Sequence, residues 1–164
     1  MALKTYNMLF VCTGNSARSI IAEALMNDAG QGRFTACSAG SHPTGVVHPL
    51  AIAALRELHI PTDGLRSKTW DEFARPGSPP LDFVITVCDK AAGEGCPFWP
   101  GQPMTAHWGV PDPAAFVGRD EDKLAQFRST AVTLKRRIDL ILSFPIGSLD
   151  SMAIQREIED IGTR

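Results

Sequence analysis

The residues most suited to chemistry lie near the start of the chain, in a stretch that reads Cys-Thr-Gly-Asn-Ser-Ala-Arg-Ser from Cys12 to Ser19. A cysteine thiolate is a nucleophile. The guanidinium of Arg18 can form paired hydrogen bonds to two oxygens of an oxyanion. The hydroxyls of Ser16 and Ser19 can donate hydrogen bonds to sulfur or to an oxyanion. We therefore predict that Cys12 is a nucleophile in a site for a tetrahedral oxyanion.

The elements on either side of this stretch show how such a site can be built. The apolar residues 8–11 predict a short buried strand, and the alanine-rich residues 20–26 predict a helix. Unpaired N–H groups and the dipole at a helix start attract an anion, which also favours the Cys12 thiolate. Gly14 allows close backbone approach or a positive φ. The predicted oxyanion-binding residues are Thr13, Gly14, Asn15, Ser16, Ala17, Arg18 and Ser19.

Two other interpretations of this stretch are weaker. A cysteine at a strand end can be a buried structural residue, but Arg18, Ser19 and the strand-to-helix context favour the nucleophile. The stretch is not a nucleotide-binding loop, because the lysine of the Gly-Lys-Ser/Thr ending is missing.

Length and composition indicate an ordinary globular protein. The chain has 164 residues, 44% hydrophobic and 21% charged, which suits a single domain over 1–164. The net charge of −2 gives no sign of a nucleic-acid or anionic-membrane partner. No apolar run approaches the roughly 18 residues that span a bilayer, and the first residues lack a signal-peptide core. We expect a cytoplasmic protein with cysteines that are reduced at rest.

The predicted strands place a second cysteine, Cys88, at the same edge of the sheet as Cys12. A predicted strand over residues 33–39 completes a β-α-β unit, which favours a parallel sheet. Residues 81–87 predict another strand, which ends at Cys88. Ligands of parallel sheets bind beyond the carboxyl ends of the strands. If the strands that precede Cys12 and Cys88 are neighbours, both thiols therefore open onto one crevice.

The remaining elements frame the second half of the predicted site. Residues 88–118 are rich in Gly and Pro and contain Cys96, His107 and Asp112. Helices are predicted from Pro49 to about residue 59 with Leu50, Ala54 and Leu58 on one face, over residues 120–142, and over about 148–161.

The stretch from Cys12 to Ser19 resembles the signature loop of low-molecular-weight protein-tyrosine phosphatases, and Asp112-Pro113 resembles that family's general-acid pair. The likeness covers almost the whole chain in the order of its elements. It implies a three-layer α/β sandwich with a four-stranded parallel sheet and flavodoxin-like winding. It also implies that Asp112 is a general acid.

Two departures from the phosphatases are similar to the arsenate reductases built on this fold. Ala114 and Ala115 stand where phosphatases have aromatic residues, and Cys88 and Cys96 are additional thiols. The resemblance implies that Cys12 attacks arsenate while Asp112 protonates the departing oxygen. Cys88 then forms a disulfide with Cys12, and Cys96 can move it to Cys88–Cys96.

The resemblance also implies the partners and the role of the enzyme. Arsenate is the expected substrate, phosphate and sulfate compete for its site, and the activity contributes to arsenic detoxification. The expected reductant is thioredoxin, with glutaredoxin and a small thiol as the alternative. No tightly bound cofactor is expected. In some relatives a potassium ion lies beside the loop, and matching positions make Asn15, Glu23, Ser38 and Asp71 its expected ligands; ordinary loop bracing is the alternative.

Two other functions stay open from the sequence. A phosphatase acting on phosphotyrosine or on small phosphoesters would use the same loop and the same acid. A non-catalytic oxyanion or redox sensor would need only the loop and the thiols. His107 and Trp108 are expected to support the Asp112 loop rather than to react.

Overall fold

The burial of the first strand shows that the chain folds in layers. The computed structural model describes residues 4–93 and 99–164. Strand β1 (Tyr6–Cys12) is fully buried from Met8 to its end. Both faces of this strand are therefore covered, as is typical of the centre of a parallel sheet.

Three further strands, β2 (Phe34–Gly40), β3 (Phe83–Thr86) and β4 (Met104–His107), complete the sheet. All neighbouring pairs are parallel, and the order is β2-β1-β3-β4. The predicted four-stranded parallel sheet with flavodoxin-like winding is confirmed. Strand β4 lies inside the Gly- and Pro-rich stretch from which no strand was predicted.

Six α-helices are present in the described part of the chain. They are α1 (Arg18–Ala29), α2 (Pro49–Glu57), α3 (Asp71–Ala74), α4 (Asp89–Ala92), α5 (Asp120–Leu142) and α6 (Ser151–Ile161). Helices α1, α2 and α5 pack together, α6 packs on α5 and β4, and α4 packs on β1 and β3. Within residues 4–93 and 99–164, none of the helices has the length and apolar character needed to cross a membrane.

The apolar periodicity predicted α5 at its observed bounds. Its buried face includes Phe127, Leu134 and Ile138. In α2 the predicted face is wrong in part, because Ala51, Ala54 and Leu55 are buried whereas Leu58 is 41% exposed. The helix ends at Glu57, so Leu58 lies beyond its last turn.

The sheet order places the predicted site at the point where the winding reverses. The chain moves outward from β1 to β2 on one side and through β3 to β4 on the other. Val11 is paired with Thr86, and the N–H of Val87 donates to the Val11 carbonyl at 2.9 Å. Cys12 and Cys88 therefore lie at the carboxyl ends of adjacent strands, where ligands of such sheets bind.

Candidate active site

The predicted oxyanion loop connects the end of β1 to the start of α1. Asn15 has a φ of 46°, so the left-handed residue of the loop is Asn15 and not Gly14, as the sequence had left open. Gly40 on β2 lets the backbone of the loop approach that strand closely, because a Cβ at that position would lie 2.4 Å from the Thr13 carbonyl oxygen. The loop therefore depends on a glycine of the neighbouring strand that its own sequence does not reveal.

Cys12 is 2% exposed, and two groups of the loop region lie within hydrogen-bond distance of its sulfur. The N–H of Asn15 donates to Sγ at 3.2 Å, and the hydroxyl of Ser19 lies 2.8 Å from Sγ. Ala17 precedes α1 without a side-chain cap, and the first turn of the helix contains no acidic residue. The start of α1 is thus left able to attract an anion.

A buried hydrogen-bond network fixes the direction of the Ser19 hydroxyl. The Asn15 amide oxygen accepts from the N–H of Lys68 at 2.8 Å, which sets the orientation of the amide. The amide nitrogen then donates to Ser19 at 2.8 Å and to Ser38 at 3.0 Å. Because Ser19 already accepts from Asn15, its own proton is available to the Cys12 sulfur 2.8 Å away.

Arg18 links the loop to the segment that carries Asp112. Its guanidinium donates to the carbonyl of Val110 at 3.1 Å and lies 3.8 Å from Oδ2 of Asp112. The other carboxylate oxygen of Asp112 accepts from the N–H of Ala114 at 3.0 Å, at the start of the short 3₁₀ turn Pro113–Ala115. The structure therefore brings Cys12, Arg18 and Asp112 to one edge of the sheet.

A second arginine, Arg137 of α5, binds the backbone of the segment that leads to Asp112. It is 6% exposed and donates to the carbonyl of Gly109 at 3.2 Å. Burial lowers the pKa of its guanidinium, and the neighbouring Arg136 adds to this effect. Trp108 is fully buried and donates from Nε1 to the carbonyl of Ile158. The backbone that presents Asp112 is thus anchored to both C-terminal helices.

Cys88 lies beside the oxyanion loop, as the strand order requires. Its sulfur is 3.6 Å from the hydroxyl of Thr13 and accepts from the N–H of Ala91 at 3.4 Å. A cleft of about 480 Å³ opens at this point, lined by Arg18, Cys88, Asp89, Asp112 and residues 109–111. Cys88 itself is only 2% exposed.

The other two cysteines differ from this pair. The predicted relay residue Cys96 lies outside the described residues. Cys37 of β2 donates to the carbonyl of Met8 at 3.6 Å. Burial, assisted by the charge of Glu23, raises the pKa of the Cys37 thiol to about 12. Cys37 is therefore a partly buried, protonated thiol.

The residues expected to bind potassium do not form an open oxygen cage. Ser38 donates to Glu23 Oε1 at 2.7 Å and accepts from Asn15, whose amide oxygen is occupied by the Lys68 N–H. Asp71 is exposed at the start of α3. The ammonium of Lys68 lies 3.6 Å from Glu23 Oε1. As arranged, these residues do not fit a bound potassium ion.

A hydrogen-bonded chain that the sequence did not predict lies next to Cys88. Thr86 and Asp89 lie 2.7 Å from Nδ1 and Nε2 of His107, respectively. Gly109 leaves room for this arrangement, because a Cβ there would lie 2.6 Å from His107 Nε2. His107 thus ties the residue after Cys88 to β4, a role that only the pairing of β3 with β4 reveals.

A cysteine-centred oxyanion loop at the switch point of a parallel sheet is the arrangement of a phosphatase-type α/β protein. The chain belongs to the low molecular weight phosphotyrosine protein phosphatase family, whose sequence profile matches residues 7–144.

Relatives of two named activities share this fold with the chain. An arsenate reductase of Halalkalibacterium halodurans is 36% identical over 129 residues, which cover 79% of this chain and 89% of the relative. A solved structure described as an arsenate reductase in the phosphate binding state is 29% identical, with a TM-score of 0.66 over 85% of this chain and 98% of its own. A low-molecular-weight protein tyrosine phosphatase from T. tengcongensis is 25% identical, with a TM-score of 0.64 over 85% of this chain and all of its own.

Proposed function

We propose that this protein is an arsenate reductase in which Cys12 is the nucleophile and Cys88 supplies the second thiol. The observation that carries the proposal is the position of Cys88, whose sulfur contacts the residue next to Cys12 from the adjacent strand. Hydrolysis of a phosphate ester needs no such thiol. Reduction needs a second thiol to form a disulfide with Cys12, because two electrons must pass to arsenic, and Cys88 supplies it within the chain.

The first step follows from the groups around the loop. Arsenate binds to the N–H groups of the loop and to Arg18, and the Cys12 thiolate forms a bond to arsenic. Asp112 donates a proton to the oxygen that leaves as water. The product is a Cys12–arsenic(V) adduct, with no net change of oxidation state.

The second step transfers the electrons. The thiolate of Cys88 attacks Sγ of Cys12, a sulfur–sulfur bond forms, and the sulfur–arsenic bond breaks with its electron pair left on arsenic. Arsenic is reduced to the +3 state and leaves as arsenite, while the two cysteines are oxidised to a disulfide. The Thr13 hydroxyl, within reach of Cys88, is placed to orient the attacking sulfur.

The proposal includes a third thiol and a protein reductant. Cys12 and Cys88 are each 2% exposed, so a disulfide between them would be shielded from a protein dithiol. Attack by Cys96 on Cys88 would move the disulfide to a pair that thioredoxin reduces; glutathione with glutaredoxin is the alternative. Such a relay requires a reducing compartment, and we place the enzyme in the cytoplasm on that ground.

Replacing Cys88 tests the reaction against its rival, phosphoester hydrolysis. We expect Cys88→Ser to abolish arsenite release in a single turnover and to leave hydrolysis of p-nitrophenyl phosphate, where measurable, within about twofold. Cys37→Ser is the matched control, because the Cys37 thiol donates to the Met8 carbonyl and does not line the cleft, and it should keep both activities. Arsenite release at the parent rate by Cys88→Ser would overturn the proposed relay.

The reductant has its own test. With Cys96→Ser, we expect dithiothreitol to support turnover while thioredoxin, thioredoxin reductase and NADPH do not. Equal rates of Cys96→Ser and parent with the thioredoxin system would exclude Cys96 from the relay. Parent turnover with glutathione and glutaredoxin alone would identify the alternative reductant.

A further inference from the structure

Lys68 is buried beside the oxyanion loop, although burial of a charged side chain is normally unfavourable. The residue is 8% exposed and precedes α3. Its Nζ donates to the carbonyl of Arg66 at 2.9 Å and lies 3.6 Å from Oε1 of Glu23. Glu23 is also shielded, with 12% of its side chain exposed. Charges removed from water in this way are costly unless they are paired.

The backbone of Lys68 contacts the same region as its side chain. The Lys68 N–H donates to the amide of Asn15, and its carbonyl accepts from the N–H of Gly40 at 2.9 Å. The segment is therefore held to the loop and to β2 by main-chain bonds that do not depend on the side chain. Besides its hydrogen bond to the Arg66 carbonyl, the ammonium group has one charged neighbour within 4 Å among the described residues, the carboxylate of Glu23.

We propose that Lys68 is a positioning residue whose ammonium is a built-in cation for Glu23, so that the oxyanion loop of this protein needs no potassium ion. The pair fixes the carboxylate that accepts from Ser38, and Ser38 in turn accepts from Asn15. Asn15 holds Ser19, which contacts the Cys12 sulfur. One continuous set of contacts thus joins the ammonium to the nucleophile.

The same contacts leave little for a second cation. The amide oxygen of Asn15 is occupied, Glu23 Oε1 already accepts from Ser38, and Lys68 would repel another positive charge at this distance. Asp71, the fourth ligand expected from the resemblance, lies exposed at the start of α3. This proposal concerns a loop that any oxyanion-binding function would use, so it does not depend on arsenate reduction.

Comparing potassium with sodium tests the proposal without any turnover. For the parent protein we expect the same melting temperature, and the same Kd for inorganic phosphate by calorimetry, in KCl and in NaCl of equal concentration. For Lys68→Met we expect in NaCl a melting temperature lower by about 10 °C and a phosphate Kd higher by roughly tenfold. KCl should restore part of both losses.

Three further variants separate a charge effect from a packing effect. Lys68→Arg keeps the positive charge and should remain indifferent to potassium. Lys68→Met combined with Glu23→Gln removes both charges and should show no potassium response. Lys4→Met removes a lysine from an exposed pair with Asp82, and it should behave as the parent.

Two results would overturn the proposal. One is stabilisation of the parent by KCl over NaCl, which remains measurable even if Lys68→Met fails to fold. The other is a Lys68→Met protein with unchanged melting temperature and phosphate affinity. Failure of arsenate turnover in every variant would bear on the proposed function alone.

Discussion

Cys88 Sγ lies 3.6 Å from the hydroxyl of Thr13, the residue that immediately follows the proposed nucleophile. This contact joins the ends of β1 and β3 across the switch point of the sheet. It places a second thiol beside the oxyanion loop while the rest of the loop keeps the arrangement of a phosphatase.

Removing that hydroxyl should slow the second half of the reaction more than the first. We expect Thr13→Val to slow arsenite release in a single turnover by about tenfold, the worth of one lost hydrogen bond. Hydrolysis of p-nitrophenyl phosphate should change less than twofold. Equal losses in both assays would mean that Thr13 supports the loop as a whole.

The Ser19 hydroxyl should matter in both reactions, because its proton is available to the sulfur that attacks either substrate. Loss of a hydrogen bond to a charged group costs about 1.5–3 kcal/mol. We therefore expect Ser19→Ala to lower the rate of Cys12 alkylation by iodoacetamide at neutral pH, and arsenate turnover, by about 10- to 100-fold. Ser16→Ala is the comparison within the loop and should have a smaller effect on alkylation. A Ser19→Ala protein as reactive as the parent would contradict the direction assigned to this hydrogen bond.

Cys37 should be inert in the folded protein. Its pKa of about 12 lies above the ordinary thiol value, so the thiol stays protonated at neutral and mildly alkaline pH. At pH 8 only about one molecule in ten thousand carries the thiolate. Peptide mass mapping after iodoacetamide treatment at pH 8 should find Cys37 unmodified in the native state and modified in denaturant. Rapid native modification would show that β2 opens at this position.

Much of the fold follows from local patterns, and the exceptions have physical reasons. The apolar runs of β1 and β3 are continuous because those strands are mostly buried, and the apolar spacing of α5 is clear because one face of that helix is buried. Strand β4 reads Met-Thr-Ala-His and is only half buried, so it has neither a continuous apolar run nor flanks that distinguish it from the loops around it. Its place in the sheet comes from pairing with β3.

Some residues of the candidate site could likewise be predicted from the sequence, and others could not. Cys12 and Arg18 could be predicted because the loop and its flanking elements are contiguous, and Asp112 because its Asp-Pro pair completes the family pattern. Lys68 could not, since nothing in Ser-Lys-Thr marks a lysine as buried. Its position under the loop depends on the bridge between Gly40 and Thr69. Asp71, an expected potassium ligand, lies exposed beyond that bridge.

The tie between His107 and Asp89 should depend on the small size of Gly109. A Cβ at Gly109 would lie 2.6 Å from His107 Nε2 and 2.8 Å from Asp89 Oδ1. We expect Gly109→Ala to destabilise the protein by about 1–3 kcal/mol and to alter the rate at which Cys88 attacks. Gly147→Ala is the control, because no atom lies within 4 Å of the added Cβ. Urea unfolding checks the first effect and single-turnover arsenite release the second; parent-like stability of Gly109→Ala would show that the segment adjusts without cost.

Asp112 can act either as an acid or as a partner that positions Arg18, and the two roles give different results. Asn at this position can still accept from the N–H of Ala114, so the 3₁₀ turn should persist. As an acid, Asp112 should be worth about 10²–10⁴-fold in arsenate turnover. It should be worth much less for p-nitrophenyl phosphate, whose leaving group departs without a proton. Asp122→Asn, in an exposed pair with Arg119 on α5, should leave both rates unchanged. If Asp112→Asn lowers both rates equally, the 3.8 Å contact with Arg18 accounts for the loss, and the proton must come from another group.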